Sequence, residues 1–209
     1  MIAIVDYGVG NLFSLKSSLQ MLGESVTVSG DPAVLAGADA LILPGVGAFG
    51  DAREKLACGG LDREICAMSR DKPMLGICLG MQMLFEESEE FGIHRGLGLL
   101  PGRVTAMEPR LPRGTKIPAI GWSELHLVQR ACPIFEDIAE GDCVYFVHSY
   151  SAVDCGDALA ATTDYGIPVT AAAARGHIFG TQFHPEKSGR TGLAILAAFC
   201  RQAKGREAR

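Results

Sequence analysis

The chain has no run of basic residues, no Cys-x-x-Cys, no His-x-x-x-His, and no apolar stretch near the roughly 18 residues that a membrane-spanning helix requires. Each absence removes a class of function. Without a Lys/Arg stripe, and with a net charge of −5, the chain lacks the electrostatic footprint of a nucleic-acid binder. Without histidines and cysteines at ligand spacing, no metal centre is expected, and no motif asks for a cofactor. The seven cysteines, at 58, 66, 78, 132, 143, 155 and 200, are odd in number and scattered, as suits free thiols in a reducing compartment. The first residues enter a short apolar strand directly, so a cytoplasmic protein with small-molecule or protein partners is expected.

What is present fits one α/β domain over residues 1–209, with 48% hydrophobic residues to fill its core. Ile2 to Val5 reads as a buried strand, followed by the loop Asp6-Tyr7-Gly8-Val9-Gly10-Asn11. Asn11 caps a helix whose Leu12, Leu15, Leu19 and Leu22 recur at helical spacing before Gly23 stops it. A dinucleotide fingerprint fails there, because position 13 is Phe13 and no acidic residue ends the second strand, Ser25 to Val28. Asp31-Pro32 starts a short helix that leads to the strand Ala40 to Leu43. This βαβ alternation implies a mostly parallel sheet flanked by helices, with ligands beyond the carboxyl ends of its strands.

A helical region is expected from Asp51 to Arg70, and the acidic run Glu86 to Glu90 reads as a solvated helix end. From Leu97 the pattern changes to short strands. They are Arg103 to Met107, Ile117 to Ile120, Ser123 to Val128, Cys143 to Val147, Ala158 to Thr163, Val169 to Ala174 and His177 to Phe183. Joined by turns, they predict an antiparallel extension of the sheet. The segment Ala171 to Arg175 offers no functional signal. A closing helix from Ser188 to Ala203 carries Leu193, Leu196 and Cys200 on one stripe, and the basic tail Lys204 to Arg209 is expected to fray.

The chemistry centres on Pro73 to Gln82, where an apolar run ends at Gly76-Ile77-Cys78-Leu79-Gly80 and turns helical. Gly-x-nucleophile-x-Gly is a nucleophile elbow, and the unpaired N–H groups of a first helical turn favour negative charge on Cys78. A buried structural cysteine is the ordinary alternative for this stretch alone. The N–H of Leu79 offers one oxyanion donor, and the glycine-rich loop Pro44 to Gly50 offers Val46 and Gly47 as others. Gln82, one turn past Cys78, shares its face. The missing base comes at His184-Pro185-Glu186, where proline extends residue 184 so that Glu186 lies on the same side and orients the imidazole.

Gly76 to Gln82 together with Gln182-Phe183-His184-Pro185-Glu186 resembles the class I glutamine amidotransferase family. Four further stretches, Asp6 to Asn11, Leu43 to Phe49, Tyr145 to Tyr150 and His184 to Gly189, are similar to the branch formed by glutaminase subunits of imidazole glycerol phosphate synthases. The resemblance implies a flavodoxin-like α/β fold and a triad of Cys78, His184 and Glu186 that hydrolyses L-glutamine. It further implies that Gln82, Glu90, Ser149 and Tyr150 contact the substrate. Ammonia would pass to a separate cyclase subunit of (β/α)8 barrel fold in histidine biosynthesis, with Asn11, Trp122 and Lys187 near that partner. The chain departs from the branch at Ala119 and Ser123, where His and Asn are usual.

Overall fold

The computed structural model describes residues 1–204; residues 205–209, which hold most of the basic tail, lie outside that range. The first half alternates strand and helix. Strand β1 (Ile2–Val5) leads to α1 (Leu12–Met21), β2 (Val26–Ser29), α2 (Pro32–Ala36) and β3 (Ala40–Leu43). Then come α3 (Phe49–Ala57), α4 (Leu61–Met68), β4 (Met74–Ile77) and α5 (Leu79–Leu84). The second half is largely strand: β5 (Glu87–Ser88), β6 (His94–Arg95), β7 (Arg103–Ala106), β8 (Ala119–Glu124), β9 (His126–Leu127) and β10 (Cys143–His148). It continues through β11 (Tyr150–Val153), β12 (Leu159–Asp164), β13 (Pro168–Arg175) and β14 (Ile178–Thr181), and closes with α6 (Gly189–Lys204).

An eight-stranded sheet runs in the order β2-β1-β3-β4-β14-β13-β12-β9. Its first five strands are parallel and the last three antiparallel, so the expected antiparallel extension consists of β13, β12 and β9 alone. His177 to Phe183 instead supplies β14, which runs parallel to β4, while Arg103 to Met107 and Cys143 to Val147 fall in two smaller sheets, β11-β7-β5-β6 and β10-β8. Strands β1, β3, β4 and β14 are buried along their whole length, which is why they read as continuous apolar runs and not as alternating ones. One face packs on α1 and α6 through Leu15, Leu19, Ile195 and Phe199. The other packs on α2 to α5 through Leu35, Leu56, Ile65 and Leu79.

Local signals hold at the caps. Asn11 Oδ1 accepts from Ser14 N–H, and Asp31 Oδ1 accepts from Ala33 N–H at 2.8 Å, with Pro32 opening α2. Several longer-range expectations are corrected. The helix expected over 51–70 is two helices, because Gly59 and Gly60 adopt φ +70° and +80°, open to glycine at little cost. The acidic run is not a helix end: α5 stops at Leu84, Glu87 and Ser88 pair with β6 and β7, and Glu89 binds Arg103 at 2.9 Å. Ile117 to Ile120 and Ser123 to Val128 are redrawn: Ala119 to Glu124 is one strand paired with β10, and of the second only His126 and Leu127 remain a separate strand, β9, paired with β12. Strand β11 was not expected; it pairs with β7. On α6 the buried stripe is Gly192, Ile195, Leu196, Phe199, Cys200 and Ala203, with Leu193 only half-buried.

The plain segment Ala171 to Ala174 is the buried middle of β13. Small residues continue across the sheet to Gly180 on β14, where a Cβ would stand 2.6 Å from Met81 of α5. Helix α5 therefore sits hard against the sheet. At Gly80 a Cβ would lie 1.8 Å from the carbonyl oxygen of Leu43, so the end of β3 and the start of α5 touch backbone to backbone.

Candidate active site

That contact brings the loop after β3 up against the residue between β4 and α5. Cys78 occupies this junction at φ 55° and ψ −112°, a conformation that side-chain-bearing residues rarely adopt. Its N–H donates to Thr181 O at 2.7 Å, and its carbonyl accepts from Gln82 N–H at 3.1 Å. Packing on both sides thus over-determines the strained turn. The thiol opens into a cleft of about 300 Å³, an ordinary size for a small-molecule site.

Among the residues singled out from the sequence, Val46, Gly47, Leu79, Gln82, Glu90, Ser149, Tyr150 and His184 line this cleft with Cys78. Glu186 stands behind His184. Its Oε1 lies 2.9 Å from His184 Nδ1, and both side chains are only 3% exposed. Glu186 reaches that position by a different route from the one expected. Pro185 to Lys187 is a 3-10 turn with the extended His184 as its cap, and Lys187 N–H donates to His184 O at 3.0 Å. The ring is fixed further by its backbone: His184 N–H donates to Tyr145 O at 3.0 Å, and Ser188 Oγ donates to His184 O at 2.6 Å.

Glu90 leaves the acidic run to do local work. Its Oε2 accepts from Phe49 N–H at 2.6 Å, capping α3, whose own cap residue Ala48 has no side chain for the task. Burial raises its pKa while the Phe49 N–H opposes the shift. Asn11, Trp122 and Lys187 lie outside the cleft. Trp122 is 56% exposed and stands edge-on to Tyr145, Lys187 is exposed, and Asn11 borders a small void with Glu186 and Pro44.

The sequence reading missed three residues. Tyr7 is buried, and its hydroxyl donates to Pro44 O at 2.6 Å, holding the first residue of the 44–50 loop. Tyr7→Phe is expected to lower kcat about fivefold with KM unchanged, because it frees a buried carbonyl just before the candidate oxyanion donors. Steady-state turnover checks this. His148, buried beside Cys78 and His184, donates Nδ1–H to Tyr150 O at 2.8 Å. Gln182, buried on the strand end before His184, faces Cys78 Sγ at 3.8 Å. For His148 and Gln182 the only available signal was their place inside motifs valued for other residues.

The two imidazoles are driven apart. Burial lowers His148 to about 4 and the nearby His184 charge adds to this, so His148 stays neutral. Burial also disfavours charge on His184, but hydrogen bonds with Cys78 and Glu186, and the charges they carry, outweigh it and push His184 up to about 9. These opposed shifts make His184 the more readily protonated of the two imidazoles. Among the described residues no cluster of His, Cys, Asp and Glu forms a metal site, and no helix is long and apolar enough to cross a membrane.

A cysteine at a strand-to-helix elbow, with a charged histidine and a carboxylate behind it, has the parts of a cysteine-dependent acyl-transfer enzyme on an α/β sheet. The family model for class I glutamine amidotransferases matches residues 3–203, and the chain belongs to that family. It is 47% identical over 204 residues to the imidazole glycerol phosphate synthase subunit HisH of Syntrophotalea carbinolica, covering 95% of this chain and 98% of the relative. It is 49% identical over 201 residues to the HisH subunit of Methanothermobacter thermautotrophicus, covering 95% and 97%. Among solved structures, a glutamine amidotransferase aligns with a TM-score of 0.75 at 18% identity, covering 98% of this chain and all of the other. PurLQS from Thermotoga maritima aligns with a TM-score of 0.72 at 21% identity, covering 96% and 97%. These two likenesses establish the fold.

Proposed function

We propose that this chain is the glutaminase subunit of an imidazole glycerol phosphate synthase, hydrolysing L-glutamine to L-glutamate and ammonia in the cytoplasm. The observation that carries the reading is the cleft lined by both Cys78 and His184, with His184 Nδ1 2.9 Å from Glu186 Oε1. The Cys78 thiolate attacks the carboxamide carbon of glutamine, and the N–H groups of Leu79 and of the Val46–Gly47 segment receive the oxyanion. His184 gives its proton to the nitrogen, the C–N bond breaks, and ammonia leaves a γ-glutamyl thioester. Neutral His184 then takes a proton from water, the hydroxide attacks the thioester, and glutamate departs as the thiolate and imidazolium are restored. Glu186 stabilises the imidazolium in the resting state.

Gln82, Glu90, Ser149 and Tyr150 recognise the amino-acid end of glutamine, with the Glu90 carboxylate suited to its ammonium group. The ammonia passes to a separate cyclase subunit of (β/α)8 barrel fold. Trp122 and Ile120 are exposed on the same outward face of β8 and supply apolar area for that partner, and Asn11 and Lys187 are assigned to the same interface. The departures at Ala119 and Ser123 fall on the same strand.

Glutamate release from glutamine, measured on the chain alone and mixed with a histidine-pathway cyclase and its ribonucleotide ligand, tests the proposal. Weak activity alone and strong stimulation by the pair is the expected result. Full activity without a partner would remove the gated-subunit reading and leave the hydrolysis.

A further inference from the structure

The polar groups in the floor of the cleft admit one consistent set of hydrogen bonds. The carbonyl oxygen of Tyr150 can only accept, so the Gln82 side-chain atom 3.2 Å away is the amide nitrogen. That nitrogen also lies 3.0 Å from the side chain of Gln182, whose facing atom is therefore the oxygen. With that end of Gln182 fixed, its amide nitrogen is the atom that meets Cys78 Sγ, at 3.8 Å. Gln182 is fully buried. A single backbone carbonyl thus sets the direction of two side-chain amides and aims an N–H at the sulfur.

We infer that Gln182 is a further catalytic residue: its amide N–H stabilises the Cys78 thiolate, while its carbonyl locks Gln82 with the Gln82 oxygen turned to the substrate. The second half follows from counting donors. Both Gln82 amide hydrogens are engaged, by Tyr150 O and Gln182 Oε1, so only Oε1 remains for the cleft that Gln82 lines. An N–H held on sulfur favours the anion over the thiol, and in a buried site it needs no rearrangement when charge develops. One side chain thereby ties the nucleophile to the substrate-recognising glutamine. This inference rests on Cys78 as the nucleophile of the proposed reaction.

Alkylation of Cys78 by iodoacetamide, with the modified peptide assigned by mass spectrometry, reads the reactive thiolate without using glutamine or an oxyanion hole. Gln182→Met is expected to slow this alkylation at neutral pH about tenfold, with the deficit closing as the pH is raised, and to raise KM for glutamine. Gln82→Met also raises KM, and because it removes the donor that fixes the direction of Gln182 it slows alkylation too, by less than Gln182→Met. Gln182→Asn keeps an amide in the buried site but withdraws it by one methylene, and should give the same pattern at smaller amplitude. On the unsubstituted chain, alkylation of Cys78 should shift the Gln182 side-chain amide resonances. An alkylation rate at the parent level in folded Gln182→Met, or unmoved resonances, overturns the inference. A parent chain that alkylates as described but releases no glutamate would sink the glutaminase reading and leave the role of Gln182 standing.

Discussion

Cys78→Gly should abolish glutamine hydrolysis, lowering kcat by at least about a thousandfold, and yet make the protein harder to unfold. The loss follows from removing the only atom that can form the thioester. The gain follows from the backbone. Cys78 sits at φ 55° and ψ −112°, where a Cβ costs about 1–3 kcal/mol and glycine pays almost nothing. Glycine's extra freedom in the unfolded chain takes back up to about 1 kcal/mol, leaving a net stabilisation of about 1 kcal/mol. Cys78→Ala separates the two effects, since it loses the sulfur but keeps the Cβ and the strain. Urea unfolding of both variants beside glutamate release is the measurement, and a midpoint for Cys78→Gly below that of Cys78→Ala would mean that the elbow stores no strain.

The second large effect concerns the proton on His184. Glu186→Gln keeps the shape of the orienting side chain and removes its charge, which is one of the causes that hold His184 up at about 9 against its burial. Turnover should fall about a hundredfold, because the imidazolium that protonates the departing amide nitrogen is less stabilised. The alkaline limit of turnover should also move from near about pH 9 towards neutrality. Stability changes with the same sign. A histidine raised from 6.5 to about 9 contributes stability that is fully present below 6.5 and is lost as the pH rises through 9. The parent should therefore lose more stability than Glu186→Gln between about pH 6 and pH 9.5. Equal losses in the two proteins would place the proton elsewhere.

Both predictions use residues that could be found by reading the chain. Gly76 to Gly80 announces the elbow because two glycines are needed where backbones meet, and the buried strands β1, β3 and β4 announce themselves as apolar runs. Asn11 and Asp31 mark their helices since a cap is satisfied within three residues. His184 and Glu186 are two positions apart, so their pairing was legible even though the turn joining them was not.

What stayed hidden depends on partners far along the chain. Glu90 could not be distinguished from its acidic neighbours, because the N–H it caps is 41 residues earlier. Strand β11 exists only because β7 lies beside it. Gln82 and Gln182 are 100 residues apart, and the direction of either amide is undefined until a carbonyl at residue 150 fixes it. The sequence by itself determined the buried strands β1, β3 and β4 and brought out Cys78 and His184 as the candidate nucleophile and base, since each rests on a pattern confined to a short stretch. Only the tertiary structure decided that β14 joins the parallel strands, which histidine is the more basic and which amide faces the sulfur. Desolvation and hydrogen-bond direction are set by whatever the fold places around a group, and the neighbours of that group in sequence do not record it.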